Sequence, residues 1–216
     1  MQQWYDHIAE ETAKIPQIHP LQLSLDVQEE MGDDDWLIFD GGNTHFWSEI
    51  AVNMAGWRGQ KLGGIMHPGN YSLLGVGVSF GISAKSVHPE KNVVVISGDG
   101  AFLSGGLSIE AAFQESKPIT IVIDNNGGLD CISQQQERLF ANGKHFATDF
   151  RNIPFHTMCE GLGGHGELVE HRSELAPALR RAMASNKVAL VNVKCRGVIS
   201  PIVAATSDKR DKASNE

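Results

Sequence analysis

Cysteine is scarce in this chain. Only Cys131, Cys159 and Cys195 occur, and no two of them form a CxxC pair. That spacing argues against a cysteine-built iron–sulfur cluster or structural zinc site, and an odd, sparse count fits a reducing compartment better than a disulfide scaffold. Basic residues are also in deficit: 18 Lys and Arg stand against 26 Asp and Glu, for a formal net charge of −8. Nucleic acid and anionic membranes reward clustered cations, so neither is the expected partner. A local phosphate site stays open, because backbone N–H groups bind phosphate without net positive charge. No apolar run approaches a membrane span, and no basic-then-apolar leader is visible, so the expected location is cytoplasmic. Internal repeats and low-complexity linkers are lacking too.

What is present is a chain of 216 residues, 41% hydrophobic and 20% charged, enough for one well-buried domain. Apolar residues at helical spacing run from Met1 to Ile15, where Pro16 stops them, and Pro20 opens a second helical stretch over Leu21–Met31. Four short apolar runs follow, each ending in turn residues: Trp36–Phe39, Val93–Ile96, Ile119–Ile123 and Ala189–Val193. Such runs suit strands buried on both faces of a parallel sheet. Helical patterns lie between them, over Leu73–Val87, Leu107–Glu115, Ile153–Leu162 and Arg172–Ser185. The alternation predicts a three-layer, doubly wound α/β domain over residues 1–206 with a mainly parallel central sheet. Residues 207–216 are polar and charged, and they are expected to be a disordered tail. In open sheets of this kind ligands bind beyond the carboxyl ends of the strands. The Gly- and Asn-rich turns after the first three runs are therefore expected to converge.

The central motif is Val93-Val-Val-Ile-Ser-Gly-Asp-Gly-Ala-Phe102, followed by Ile121-Val-Ile-Asp-Asn-Asn-Gly-Gly128. One buried strand delivers Asp99 into a glycine-flanked turn, and a second delivers Asn126 at 27 positions further on. Asp99 offers an anionic oxygen, Asn126 a neutral amide oxygen, and a turn carbonyl such as that of Gly128 a third ligand. Hard oxygen ligands with room left for phosphate and water suit Mg²⁺. Gly98 and Gly100 allow close backbone approach to a phosphate, and the helix after the turn presents orphan N–H groups. Either half alone reads equally well as a helix cap or an Asn-Gly turn.

A GDG turn followed at this distance by two asparagines resembles the thiamine-diphosphate signature. The segment from about Ile18 to Val203 is similar to the C-terminal cofactor-binding domain of the acetolactate synthase and 2-oxoacid decarboxylase group, most strongly over Leu73–Asn126. The resemblance implies that Asp99, Asn126 and the Gly128 carbonyl hold Mg²⁺, and that Gly100 and Ala101 lie against the diphosphate. Asp40-Gly-Gly-Asn-Thr-His45 resembles the family's other diphosphate loop, with Gly42, Asn43 and Thr44 in contact. Ser72-Leu-Leu-Gly-Val-Gly77 resembles the segment beneath the aminopyrimidine. Leu74 is then the wedge that bends thiamine, and the Ser72 carbonyl accepts from the 4′-amino group. Plain alternatives exist: Leu74 as a core residue, and Asn43 and Thr44 as caps of a helix beginning near Phe46. His45 and His67 lie near this site and are secondary catalytic candidates, although most lone histidines are structural or solvated. Many relatives carry Glu nine positions after the metal Asp, where this chain has Ser108, and Ser104-Gly-Gly106 replaces a more usual helix start. Those departures leave the substrate class open.

The resemblance also implies something this sequence does not supply. Thiamine chemistry in the family needs a Glu on a separate pyrimidine-binding domain, so a second subunit is the expected source, in a heterotetramer or larger closed assembly. The expected activity is a thiamine-diphosphate-dependent lyase, decarboxylase or carboligase acting on a small 2-oxo acid, aldehyde or acyl-CoA. Alternatives are the β subunit of a 2-oxoacid:acceptor oxidoreductase, or a non-catalytic regulatory subunit. Between Leu129 and Phe150 the residues Gln134-Gln-Gln136, Arg138 and His145 are unranked substrate candidates.

Overall fold

A computed structural model describes residues 2–140 and 143–205; the expected tail, 207–216, lies outside the described residues. Helices α1 (Gln2–Ala13) and α2 (Pro20–Glu29) open the chain. Pro20 occupies the first turn of α2, where its missing N–H costs nothing, and the His19 ring accepts the Leu21 N–H at 3.1 Å. The sheet strands are β1 (Trp36–Phe39), β2 (Gly64–Met66), β3 (Val93–Gly98), β4 (Thr120–Asn125), β5 (His165–Val169) and β6 (Ala189–Lys194). They lie in the order β2-β1-β3-β4-β6-β5 and every pairing is parallel. The sheet is thus wholly rather than mainly parallel.

Successive strand residues feed opposite faces. Leu37, Phe39, Val94, Ile96, Val122 and Val191 pack on one side, against α2 and α9 (Arg172–Ala184). Ile38, Val93, Val95, Ile121, Ile123 and Leu190 pack on the other, with residues of α4 (Gly77–Val87), α5 (Asp99–Gly105), α6 (Ile109–Gln114) and α8 (Phe155–Gly161). Burial on both faces explains why the inner strands read as continuous apolar runs.

The structure departs from the sequence reading in several places. The helix expected from Leu73 begins at Gly77, because Ser72 and Gly75 adopt positive φ (47° and 87°) and keep 72–76 out of helical geometry. The one expected from Leu107 begins at Ile109 after a single tight turn, and that expected from Ile153 begins at Phe155 behind Pro154. Helix α3 (Asn43–Trp57) starts at Asn43, ahead of Phe46. Strands β2 and β5 and helix α7 (Asp130–Leu139) carried no strong signal: β2 has three residues, and both strands lie at the sheet edges where burial is incomplete.

The strand order fixes where a ligand can sit. From β1 the chain turns into α3, which packs on α2. From β3 it turns into α5, whose Phe102 joins the core of the opposite face. Adjacent strands whose following helices leave to opposite sides open a crevice at their carboxyl ends. Asp40–Gly42 and Gly98–Asp99 stand at that crevice, with the 126–128 turn on the next strand over.

Candidate functional site

A cavity of about 240 Å³ fills the crevice. Gly42, Asn43, Thr44, Leu74, Gly98, Asp99, Gly100, Ala101, Asn126 and Gly128 line it, together with Leu129, Asp130, Cys131 and Ile132 from the start of α7. Of the residues expected to contact cofactor, only Ser72 is outside the lining.

Asp99 is the centre of the arrangement. It is 2% exposed, and it is the first residue of α5 rather than its cap. Its Oδ1 accepts the Gly100 N–H at 2.7 Å, while Oδ2 accepts the N–H groups of Gly127 at 2.8 Å and Gly128 at 3.0 Å. A capping role does not account for a carboxylate that reaches across to the turn after β4. Burial lifts its pKa to about 6, against the lowering effect of those three bonds, and the Asp130 charge lifts it further. The Asn126 Oδ1 atom is buried without a hydrogen-bond partner, a costly state for an amide oxygen. The Gly127 carbonyl accepts the Phe150 N–H at 2.7 Å, whereas no group among the described residues donates to the Gly128 carbonyl. An anionic oxygen, an unpaired amide oxygen and a free carbonyl thus border one cavity, the donor set a hard divalent cation requires.

The opposite wall rests on Asp40, a residue that sequence reasoning passed over. It is fully buried. Its Oδ1 accepts N–H groups from Gly41 (2.8 Å), Gly75 (2.9 Å) and Val76 (3.1 Å), and Oδ2 accepts the Ser97 hydroxyl at 3.0 Å. One carboxylate therefore pins the 72–77 segment to the ends of β1 and β3. An acid at a strand end, followed by two glycines, was the available signal. Leu74 is held over the cavity by this staple and is half-buried, so the core reading does not apply to it. Gly41 is where the staple is least tolerant: a Cβ there would lie 2.2 Å from the Ser72 carbonyl oxygen and 2.4 Å from that of Leu73. Gly41→Ala is expected to lower stability by about 1–3 kcal/mol, read as a shifted urea midpoint at unchanged slope.

The first turn of α3 faces the same space. Gly42 (φ 87°) precedes it and donates its N–H to Ser72 Oγ at 2.9 Å. The Asn43 carboxamide is committed within the protein, donating to Asp130 Oδ2 at 3.0 Å and to the Val198 carbonyl and accepting the Ser200 N–H at 2.8 Å. Thr44 Oγ1 donates to Asp124 Oδ2 at 3.0 Å. Both side chains therefore brace the loop, and the helix N-terminus is what they offer an anion. Asp124, at the end of β4, is a second residue not foreseen. It is buried, its Oδ1 lacks a partner of good geometry, and the Cys195 thiol lies beside it. Burial and the Asp99 charge push its pKa to about 7.

A second, more open cavity of about 520 Å³ shares Asn126, Gly128 and Asp130 with the first and extends to Gln134, Glu137 and His145. His145 is held between Asp149 (2.9 Å) and Glu137 (2.7 Å), and the partners of Gln134 are Asp130 (2.6 Å) and the Ile199 N–H (2.9 Å). His45 and His67 line neither cavity.

A doubly wound parallel sheet with oxygen ligands and a helix N-terminus at its switch point defines a domain for a diphosphate-bearing cofactor held through a metal. Residues 40–193 match the family model described as thiamine pyrophosphate enzyme, C-terminal TPP binding domain, and the chain belongs to this family. Thiamine diphosphate is the cofactor of that domain. The chain is 29% identical over 181 residues to the acetolactate synthase large subunit of Mycobacterium tuberculosis, covering 83% of this chain and 32% of that protein. It is 29% identical over 145 residues to the 2-hydroxyacyl-CoA lyase of Arabidopsis thaliana, covering 65% and 25%. The thiamine diphosphate-dependent 4-hydroxybenzoylformate decarboxylase of Rhodococcus jostii shares its fold, with a TM-score of 0.71 at 24% identity over 86% of this chain and 34% of that one. The chain spans about a third or less of the length of these relatives. Among the described residues no helix is long and apolar enough to cross a membrane.

Proposed function

We propose that this chain is the diphosphate- and magnesium-binding half of a thiamine-diphosphate-dependent enzyme that makes or breaks a carbon–carbon bond next to a carbonyl, with the pyrimidine-binding Glu supplied by a second polypeptide. The observation that carries the reading is the buried, unpartnered Asn126 Oδ1 beside Asp99 in one cavity. In this role Asp99, Asn126 and the Gly128 carbonyl hold Mg²⁺, and the N–H groups at the starts of α3 and α5 take the diphosphate. Leu74 sets the shape of the bound cofactor from the wall that Asp40 fixes. The cofactor, once bound, supplies the electron sink for a carbanion next to the carbonyl. The substrate, a small 2-oxo acid, aldehyde or acyl-CoA, enters through the larger cavity past Gln134 and His145.

The surface supports a partner. Tyr71 is 94% exposed, Leu73, Leu103 and Leu107 are exposed too, and the two segments that carry them meet at Gly75 and Gly105. Large apolar side chains left bare beside a site mark an interface. A closed assembly of two such chains and two partners fits this patch. Calorimetry with thiamine diphosphate is expected to show Mg²⁺-dependent binding that is weak for this chain alone and tightens when the partner is added. Asn126→Ala should weaken it at least about tenfold, the loss of one good polar contact. Equal, metal-independent binding by both proteins would remove the basis of the reading.

A further inference from the structure

We infer that His45, Glu49 and His67 form a second metal site, for a first-row transition ion of the Zn²⁺ type, separate from the oxygen-lined cavity. His45 and Glu49 lie one turn apart on the same face of α3, and His67 follows β2. Their ligand atoms all fall within 4.8 Å of one another. His45 Nε2 is 3.1 Å from His67 Nδ1 and 3.1 Å from Glu49 Oε1. Ligands at zinc bond lengths around a tetrahedral ion stand about 3.3 Å apart, so two of the three pairs already stand near the spacing that an ion would impose, and the third is within 4.8 Å.

His67 Nδ1 accepts the Gly69 N–H at 3.2 Å, so that nitrogen is unprotonated, and an ion would take its lone pair over from this long contact. Glu49 presents only acceptors. A single proton on His45 Nε2 serves Glu49 or His67 but not both, whereas a cation would engage all three atoms. The remaining ring nitrogen supports the same assignment. His45 Nδ1 lies 3.1 Å from Ser72 Oγ. If Nδ1 carries the proton and donates it to Ser72, Nε2 is left as a free ligand, the usual outer-shell arrangement around a metal-bound histidine.

The rings are also held in place before any ion arrives. Phe39 packs against both, at 5.4 Å from His45 and in a stacked geometry at 5.0 Å from His67. Two imidazoles and one carboxylate select Zn²⁺, Co²⁺ or Fe²⁺ over Mg²⁺, which prefers oxygen. His67 is exposed, so the fourth position opens to solvent. The other histidine bound to two acids makes a contrast. His145 meets Glu137 and Asp149 through opposite ring nitrogens, so those three groups do not converge on one point.

The test is calorimetric titration of the full untagged chain with Zn²⁺ alone, first stripped with chelator, and with Co²⁺ followed by its visible ligand-field absorption. One equivalent is expected to bind, and saturating Mg²⁺ should not displace it. His67→Ala and Glu49→Gln, both at positions open enough to leave the fold intact, are each expected to weaken binding by about 10- to 100-fold and to alter the Co²⁺ spectrum. His145→Ala should change neither. No stoichiometric binding, or equal affinity in wild type and both site variants, or loss of binding in His145→Ala, would each overturn the assignment.

Discussion

Asp99→Ala is expected to reduce Mg²⁺-dependent binding of thiamine diphosphate by about 100-fold or more, which corresponds to about 2.7 kcal/mol, while the chain still folds. Three losses coincide. The charged ligand goes, and no other carboxylate among the described residues can replace it: Asp124 is turned to Thr44 and Asp130 to Asn43 and Gln134. The N–H groups of Gly100, Gly127 and Gly128 lose their acceptor, so the turns after β3 and β4 are no longer tied together. The Asn126 oxygen then faces a cavity without the cation that would satisfy it. Asp99→Asn separates these effects. It keeps one acceptor and the side-chain volume but brings donors against backbone N–H groups, so it should bind nearly as poorly while removing only the charge and one oxygen. Calorimetry on both variants with the partner present, with circular dichroism as the folding control, measures the outcome. Wild-type affinity in Asp99→Asn would show that the carboxylate is a structural bracket and not a ligand.

How far the sequence could be read follows from burial. The inner strands, buried on both faces, leave continuous apolar runs, and β3 and β4 were legible to within two residues at each end. Edge strands need no such run: β5 places His165, Gly166 and Glu167 where solvent still reaches, so nothing set it apart from a loop. Helix α7 buries only Ser133, and its few apolar residues, among them Ile132 and Leu139, stay exposed and do not mark a core face. At the site, Asp99 and Asn126 stood out as a pair, two oxygen ligands 27 positions apart, each in a turn after a buried strand. Asp40 and Asp124 did not, since their importance lies in partners 35 to 80 positions away in the chain. The segment 73–76 has helical composition, yet the Asp40 carboxylate captures its N–H groups and tertiary contact overrides local preference. His45 and His67 are 22 positions apart, and only the fold reveals that they touch.

Asp124→Asn is expected to raise the stability of the cofactor-free chain at pH 8 by about 1–3 kcal/mol and to leave it nearly unchanged at pH 4. The sign follows from proton uptake. Burial and the neighbouring Asp99 charge lift the Asp124 carboxyl from its ordinary 3.8 to about 7, and burial lifts Asp99 to about 6. Between pH 4 and 7 the native chain therefore holds protons that the unfolded chain has released, and stability falls as pH rises through that interval. Below pH 4 both states are protonated and the penalty is absent; above pH 7 it is complete. An asparagine keeps an acceptor for the Thr44 hydroxyl and never ionises, so it removes the larger share of the slope. Its own burial limits the gain. A cation at Asp99 acts in the opposite sense, because it rewards the ionised carboxylate. The stabilisation that Mg²⁺ and thiamine diphosphate confer on the wild-type chain should accordingly grow from pH 5 to pH 8. Urea unfolding of wild type and Asp124→Asn across that range, with and without the ligands, separates the two effects. A ligand-free variant whose stability declines as steeply as that of wild type would show that the buried acid is not the source of the slope.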